Sequence, residues 1–358
     1  IVGNNCRKHM NYIKGFDTLR GISIILVLLT HLGLYHHLPE NDFIRGRVWS
    51  LISGGTGVRI FFTLSGFLIT KILLHELNEF NSINFKYFYV RRFLRLLPPL
   101  ILFYLAIGIL MHFRMIQTTS VGFFFSLFYL YNFVPNIFHT GELGHTWSLA
   151  VEEQYYLIWP FIISFFNKKQ GFIFILLVLV TSIISVYIFP ELTFTSNYKS
   201  SRWFIPAVAP IIIGSFFAWL IDKNNKIYSS YFRHKKTLLW VGIILFLCPL
   251  YSPILKLSFL FQSTGVSIIL IWILFNQQSK VTSILNNRLL SYIGSISYGI
   301  YVYQGLFLRT GPSGNLWIQE FPQNIALTFL TAIVSFYFLE KPILKLKKKY
   351  KRTIANKT

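Results

Sequence analysis

Cysteine and acidic side chains are the scarce chemistry of this 358-residue chain. Only Cys6, in a polar N-terminal stretch, and Cys248, in an apolar run, are present, which gives neither a disulfide framework nor a cysteine metal site. The nine histidines include no helical pair at ligand spacing with a carboxylate partner, so no metal is expected. Asp and Glu number 12 against 34 Lys and Arg, a formal net charge of +22. Charge of either sign is sparse at 13% of residues, whereas 54% are hydrophobic and 18% aromatic, with a mean hydropathy of +0.54. A soluble domain rarely has that balance. The basic residues do not cover a folded surface but cluster between apolar runs, as cytoplasmic loops do, which argues against a nucleic-acid partner. A signal-peptide cleavage site is also missing, because the first apolar run outlasts a signal core and no small-residue site follows it. That run is expected to remain as an anchor.

What the chain has in quantity is long apolar runs. Runs near the ~20 residues a span requires lie at about 18–37, 57–76, 94–113, 146–166, 171–189, 203–221, 237–252, 257–276, 289–308 and 323–340. A shorter aromatic run, VGFFFSLFYLYNFV at 121–134, reads as a re-entrant or interfacial segment. Only then can the basic clusters at Arg7 and Lys8, Lys14, Lys86 to Arg95, Lys168 and Lys169, Lys223 to Lys236, Arg288 and the tail KLKKKYKR all lie inside. The fold class is thus an all-α polytopic membrane protein of about ten transmembrane helices plus that segment, with both termini cytoplasmic. Residues 1–13 form a cytoplasmic tail, 14–345 the membrane domain and 346–358 a basic tail that binds anionic lipid headgroups. The outer loops are too short for a separate globular domain. Nothing in the sequence fixes an oligomeric state.

Several ionisable residues sit within these apolar runs. Arg20 and His31 lie in the first one, LRGISIILVLLTHLGLY, eleven positions apart, or almost three helical turns and roughly 16 Å on one face. An Arg at the centre of a span costs about 2.5 to 3.5 kcal/mol on insertion scales, so such residues usually face protein or a wet cavity. With the N-terminus inside, Arg20 is near the cytoplasmic surface and His31 in the outer half. A neutral imidazole can serve as general base or accept an acyl group; His31 could equally hold two helices together, and Arg20 could snorkel to lipid phosphate. The fourth span opens with HTWSLAVEEQYYLIWP, where His145 and Trp147 precede Glu152 and Glu153. Adjacent residues point about 100° apart on a helix, so one of the two carboxylates would share a cavity with His31 and orient its ring, or else form an interhelical ion pair. On the inner side, Lys71 ends the second span and KYFYVRRFLRLLPP opens the third. Arg95 follows Arg91 and Arg92 by four and three positions, placing it on a face with each. Such a cluster suits phosphates or serves as a positive-inside anchor. SGGTGV at 53–58 lacks the lysine context of a nucleotide loop and reads as close helix packing or a flexible entry loop.

Taken together, these segments, with the Gly-rich turn before FFTLSGFLIT and the later SYIGSISYGIYVYQ and FYFLEKP, resemble the membrane acyltransferase 3 family. The likeness runs from about Lys14 to Lys345 with the motifs in order. It implies O-acetyl transfer from cytoplasmic acetyl-CoA to a hydroxyl of a cell-surface polysaccharide or its lipid-linked precursor, such as O-antigen, by a multi-pass protein of the bacterial inner membrane. Arg20 and His31 correspond to the family's first-helix pair, and Glu152 and Glu153 to its acidic pair. Arg91, Arg92 and Arg95, with Lys71, become the expected donor site. His145, Trp147 and Arg202 become acceptor contacts, although SSRWFIPAVAPIIIG lacks the Asp usual beside that Arg. Gln304 stands where the family commonly has His. The expected partners are therefore membrane lipids and a glycan acceptor, with acetyl-CoA as co-substrate and no metal. A proton-coupled transporter or flippase of a lipid-linked sugar, using the same ionisable residues, is the competing reading.

Overall fold

The computed structural model describes residues 13–166, 168–191, 197–222, 225–251, 257–309, 311, 314 and 316–350. Cys6, Arg7, Lys8, residues 252–256 between the runs at 237–252 and 257–276, and the tail beyond 350 lie outside the described residues. The main helices are α1 (Phe16–His31), α2 (Gly54–Phe80), α3 (Phe85–His112), α4 (Ser120–Leu127), α5 (Thr146–Phe165) and α6 (Lys168–Ile188). They continue with α7 (Ala209–Ile221), α8 (Asn225–Leu247), α9 (Ser258–Phe275), α10 (Arg288–Phe307) and α11 (Gln323–Ser335). Among the described residues there is no strand, and Pro135 and Tyr198 form an isolated antiparallel bridge.

Every one of the ten apolar runs contains a helix. Five helical stretches among the described residues are long and apolar enough to cross a membrane: Phe43–Phe80, Phe85–His112, Gln170–Ile188, Ser258–Phe275 and Gln323–Leu346. Others fall short for physical reasons. The run expected at 18–37 breaks after His31, because Gly33 turns left-handed at φ 76° and a separate turn, Leu34–His37, follows. Helix α7 has only 13 residues. The aromatic run at 121–134 forms the eight-residue α4 and a 3₁₀ turn, Tyr131–Phe133, too little to cross.

The chain divides into two compact units. The first comprises Ile1–Lys71, Ile175–Val186 and Val208–Ser297; the second comprises Ile72–Phe174, Tyr187–Ala207 and Tyr298–Thr358. In the first unit, glycines let helix backbones touch. A Cβ on Gly21 would stand 2.2 Å from the Leu290 carbonyl oxygen, and one on Gly294 1.8 Å from that of Asp17, so α1 and the start of α10 cross in direct contact. Gly66 and Gly214 do the same for α2 and α7, against Ile211 and Thr63. Between lipid-embedded helices the gain is dispersion rather than water release, and close approach maximises it. Phe16, Ile60, Leu64, Phe67, Val266, Leu270 and Ile273 fill the space between these crossings.

In the second unit, hydroxyls tie the helices together. The Tyr104 hydroxyl donates to the Ser126 carbonyl at 2.9 Å, and the Ser126 hydroxyl donates to Thr146 Oγ1 at 2.9 Å, linking α3, α4 and α5. Gln154 on α5 donates to the Tyr129 carbonyl at 2.8 Å and to Asn132 Oδ1 at 2.9 Å. The Tyr303 hydroxyl reaches Ser335 Oγ at 2.8 Å. A membrane interior offers no water to satisfy such groups, so each bond fixes a register.

Candidate active site

The first unit holds Arg20, His31 and Lys71. His31 is the last residue of α1 and half-buried, a position set by the Gly33 turn just beyond it. Beside it, Thr30 Oγ1 accepts the Gly54 N–H at 2.6 Å, and a Cβ on Gly57 would stand 2.5 Å from the Ser23 carbonyl oxygen. Of the two readings the sequence left for the glycine-rich 53–58 segment, these contacts support close helix packing. Thr56, fully buried, donates to the Ser50 carbonyl at 2.8 Å and accepts from Arg59 Nη2 at 3.2 Å. Arg20 sits near the other end of α1, with Nη1 2.6 Å from Asp17 Oδ1. Its charge is thus answered one turn away on its own helix.

The second unit holds the arginine cluster and the acidic pair. Arg91 Nη2 lies 3.5 Å from Glu76 Oε2, and Arg91 Nη1 donates to the Tyr350 carbonyl at 2.7 Å. Arg92 has a different setting. Its guanidinium lies 4.1 Å from the centroid of the Tyr156 ring and 5.8 Å from that of Phe88, contacts that stabilise a cation by about 0.5–2 kcal/mol. The Tyr156 hydroxyl in turn donates a short bond to Glu152 Oε1. Arg92, Tyr156 and Glu152 are thereby one connected group, and Glu153, half-buried on the same helix, neighbours Glu152.

A further polar cluster in this unit gathers the residues expected to meet the acceptor. Arg202 Cζ lies 5.4 Å from the Trp147 ring centroid, and Arg202 Nη1 is 2.8 Å from His139 Nε2. His145, buried, packs its ring edge-on against Phe103 and Tyr301, each at 5.5 Å between centroids. Tyr301 donates to the His145 carbonyl at 3.0 Å and shares a short bond with Ser148. A Cβ on Gly305 would stand 2.2 Å from the His145 ring, which limits that imidazole's freedom. Gln304 is fully buried on the same helix.

Sequence reasoning missed Asp17, Glu76, Tyr156 and His139. Two of these carried a readable signal, since Asp17 precedes Arg20 by three residues and Tyr156 follows Glu152 by four, both spacings that share a helix face. Nothing local could have paired His139 with Arg202, 63 residues away.

Residues 13–340 match the family described as an acyltransferase domain. The chain belongs to that family. The matched region begins just before α1 and ends at Glu340, a buried carboxylate that accepts from Ser335 Oγ at 3.3 Å. The peptidoglycan O-acetyltransferase OatA of Listeria monocytogenes serovar 1/2a is 28% identical over 374 residues, covering 95% of this chain and 57% of its own length. The Bacillus subtilis (strain 168) protein named "Putative peptidoglycan O-acetyltransferase YrhL" is 28% identical over 373 residues, covering 94% of this chain and 55% of that one. The chain thus spans little more than half the length of these curated relatives. No solved structure matches it significantly.

Proposed function

We propose that this multi-pass membrane protein is an O-acyltransferase that moves acetyl from cytoplasmic acetyl-CoA to a hydroxyl of a cell-surface glycan, working in the bacterial inner membrane. Family membership over residues 13–340 carries the reading, supported by the placement of an imidazole at the end of α1 and a charge-balanced Arg20 near its start. Peptidoglycan is the first acceptor to test, because two relatives are named for it.

In the direct form of the reaction, an imidazole nitrogen of His31 takes the proton of the sugar hydroxyl. The oxygen adds to the thioester carbonyl, the C–S bond breaks, and the coenzyme A thiolate leaves and gains a proton. In the two-step form, His31 carries the acetyl group on nitrogen before the hydroxyl takes it. Arg92 and Arg95 hold the nucleotide phosphates. Arg92 fits this role better than Arg91, since its guanidinium rests on ring faces while Arg91 is occupied by Glu76 and the Tyr350 carbonyl. Glu152 and Glu153 tune the charge around Arg92.

The test uses inner-membrane vesicles supplied with radiolabelled acetyl-CoA and glycan acceptors. Label should appear on glycan with the native protein and vanish with His31→Ala, at equal protein level in the membrane. Retention of more than a few per cent of the rate would end the catalytic assignment of His31. Movement of lipid-linked sugar without any labelled glycan would instead establish a transporter.

A further inference from the structure

The loops of the second unit build a cationic cluster that the reaction above leaves unexplained. The segments at 131–140 and 197–202 are stitched together by the Asn136 N–H donating to the Asn197 carbonyl at 2.8 Å and by the Pro135–Tyr198 bridge. A 3₁₀ turn, Ser200–Arg202, with the Arg202 N–H donating to the Lys199 carbonyl at 2.8 Å, then brings both of its flanking cations to one place. His139 Nε2 stands 2.8 Å from Arg202 Nη1 and 3.4 Å from Lys199 Nζ. The Tyr131 ring lies 5.6 Å from that of His139, and the Trp147 ring supports the Arg202 fork.

The cluster's charge is unanswered. Among the described residues no carboxylate lies within ion-pair distance of Lys199 or Arg202. Glu142, which faces Tyr131, is bound by Arg309 Nε at 2.7 Å. Burial, followed by the charges of Lys199 and Arg202, pushes the His139 imidazole down to about 4, so at neutral pH it accepts from Arg202 as an uncharged ring. Two like charges converging on one neutral ring repel each other, and an arrangement of that kind is relieved when an anion enters. Arginine offers a planar fork that matches the two oxygens of a carboxylate or phosphodiester, and Lys199, exposed at the rim, adds a mobile point charge.

We propose that Arg202, Lys199 and His139 form a subsite that binds one oxyanion carried by the acceptor glycan, either a sugar-borne carboxylate or a phosphodiester. The assignment rests on the acyltransferase reading only in calling this ligand the acceptor. Its test is therefore a binding measurement kept apart from turnover. Purified protein in lipid nanodiscs is titrated calorimetrically with a disaccharide of N-acetylglucosamine and N-acetylmuramic acid bearing its free lactyl carboxylate, with the methyl ester of that sugar, and with a glycosyl phosphodiester.

The native protein should bind at least one of the two anions about tenfold more tightly than the neutral ester, and the preferred anion identifies the source. Lys199→Gln should weaken that anion several-fold and leave the ester unchanged. Arg202→Gln should remove the preference, and Arg202→Lys should restore part of it. Lys199 is exposed, so its variant tests the idea even where Arg202→Gln fails to fold. Equal affinity for ester and both anions, or a preference that survives Lys199→Gln undiminished, overturns the subsite. Preference without acetyl transfer would sustain the subsite and refute the transferase, whereas transfer without preference would do the reverse.

Discussion

Arg91 and Arg202 are both half-buried arginines of the second unit, and they differ in what they face. Arg91 meets a carboxylate and a carbonyl; Arg202 meets a histidine, a lysine and the face of an indole. A guanidinium that already has an internal partner contributes to structure, because its desolvation is offset within the fold. One that faces another cation leaves that offset to a ligand. Arg92 lies between these extremes, held by aromatic rings that position it without consuming its charge. The three residues are therefore expected to respond to substitution in different observables, stability for the first, donor affinity for Arg92 and acceptor affinity for Arg202.

The largest change should come from removing the structural partner. Glu76, with its side chain 8% exposed, accepts the Asn84 N–H at 2.8 Å besides pairing with Arg91. Glu76→Ala takes the acceptor from the Asn84 N–H and the carboxylate from Arg91, which keeps only the Tyr350 carbonyl, and should cost about 2–3 kcal/mol. Thermal unfolding followed by tryptophan fluorescence should then fall by several degrees, and an unchanged midpoint would show that Arg91 is not held in this way.

Arg92→Ala should spare the unfolding temperature and raise the acetyl-CoA concentration for half-maximal transfer by about tenfold, the loss of roughly 1.4 kcal/mol of phosphate attraction. Arg91→Ala should show the reverse pattern, lower stability with a smaller change in donor affinity. If both variants altered donor affinity equally, the contrast between the two arginines would collapse.

A smaller effect should follow from pH. The ordinary histidine value is near 6.5 and that of His139 is about 4, so the stabilisation of its neutral form is complete above pH 6.5 and declines as pH falls toward 4. A bound oxyanion draws the value upward, so protonation and anion binding reinforce each other. Anion affinity should rise a few-fold between pH 6.5 and 4.5 in the native protein and stay flat in His139→Gln. Lys199, Arg202, Tyr131 and the Glu142–Arg309 pair face the same region. A native protein with no rise would disconnect His139 from the subsite.

How much of this could be read from the sequence depends on range. The apolar periods located a helix in each run, and the eleven-residue spacing placed Arg20 and His31 at opposite ends of one helix. The stop after His31 was less legible, since a glycine in an apolar run is as compatible with continuation as with a left-handed cap. The number of crossing helices was harder still, because α5 carries Glu152, Glu153 and Gln154 and α7 is short, features that depend on neighbours rather than on hydropathy. The loop cluster joins His139 to Arg202 through a two-residue bridge and a 3₁₀ turn, and no local pattern encodes such a meeting. The family resemblance supplied Arg202 but neither of its companions, Lys199 and His139.

The smallest expected effect concerns the link between Arg92 and the acidic pair. Tyr156 is buried, places its ring under Arg92 and donates a hydrogen bond from its hydroxyl to Glu152. Tyr156→Phe keeps the ring face and so keeps the cation in position, but leaves Glu152 without that donor. Loss of one hydrogen bond is worth about 0.5–1.5 kcal/mol, and part of it returns if Glu152 turns toward Arg92. The expected outcome is a two- to threefold change in the half-saturating acetyl-CoA concentration with the unfolding midpoint nearly constant. Tyr156→Leu, which removes the ring as well, should approach the tenfold effect of Arg92→Ala. Equal effects of Phe and Leu at this position would mean that the hydroxyl, not the ring, holds Arg92 in place, and the aromatic support that separates Arg92 from Arg91 would have to be abandoned.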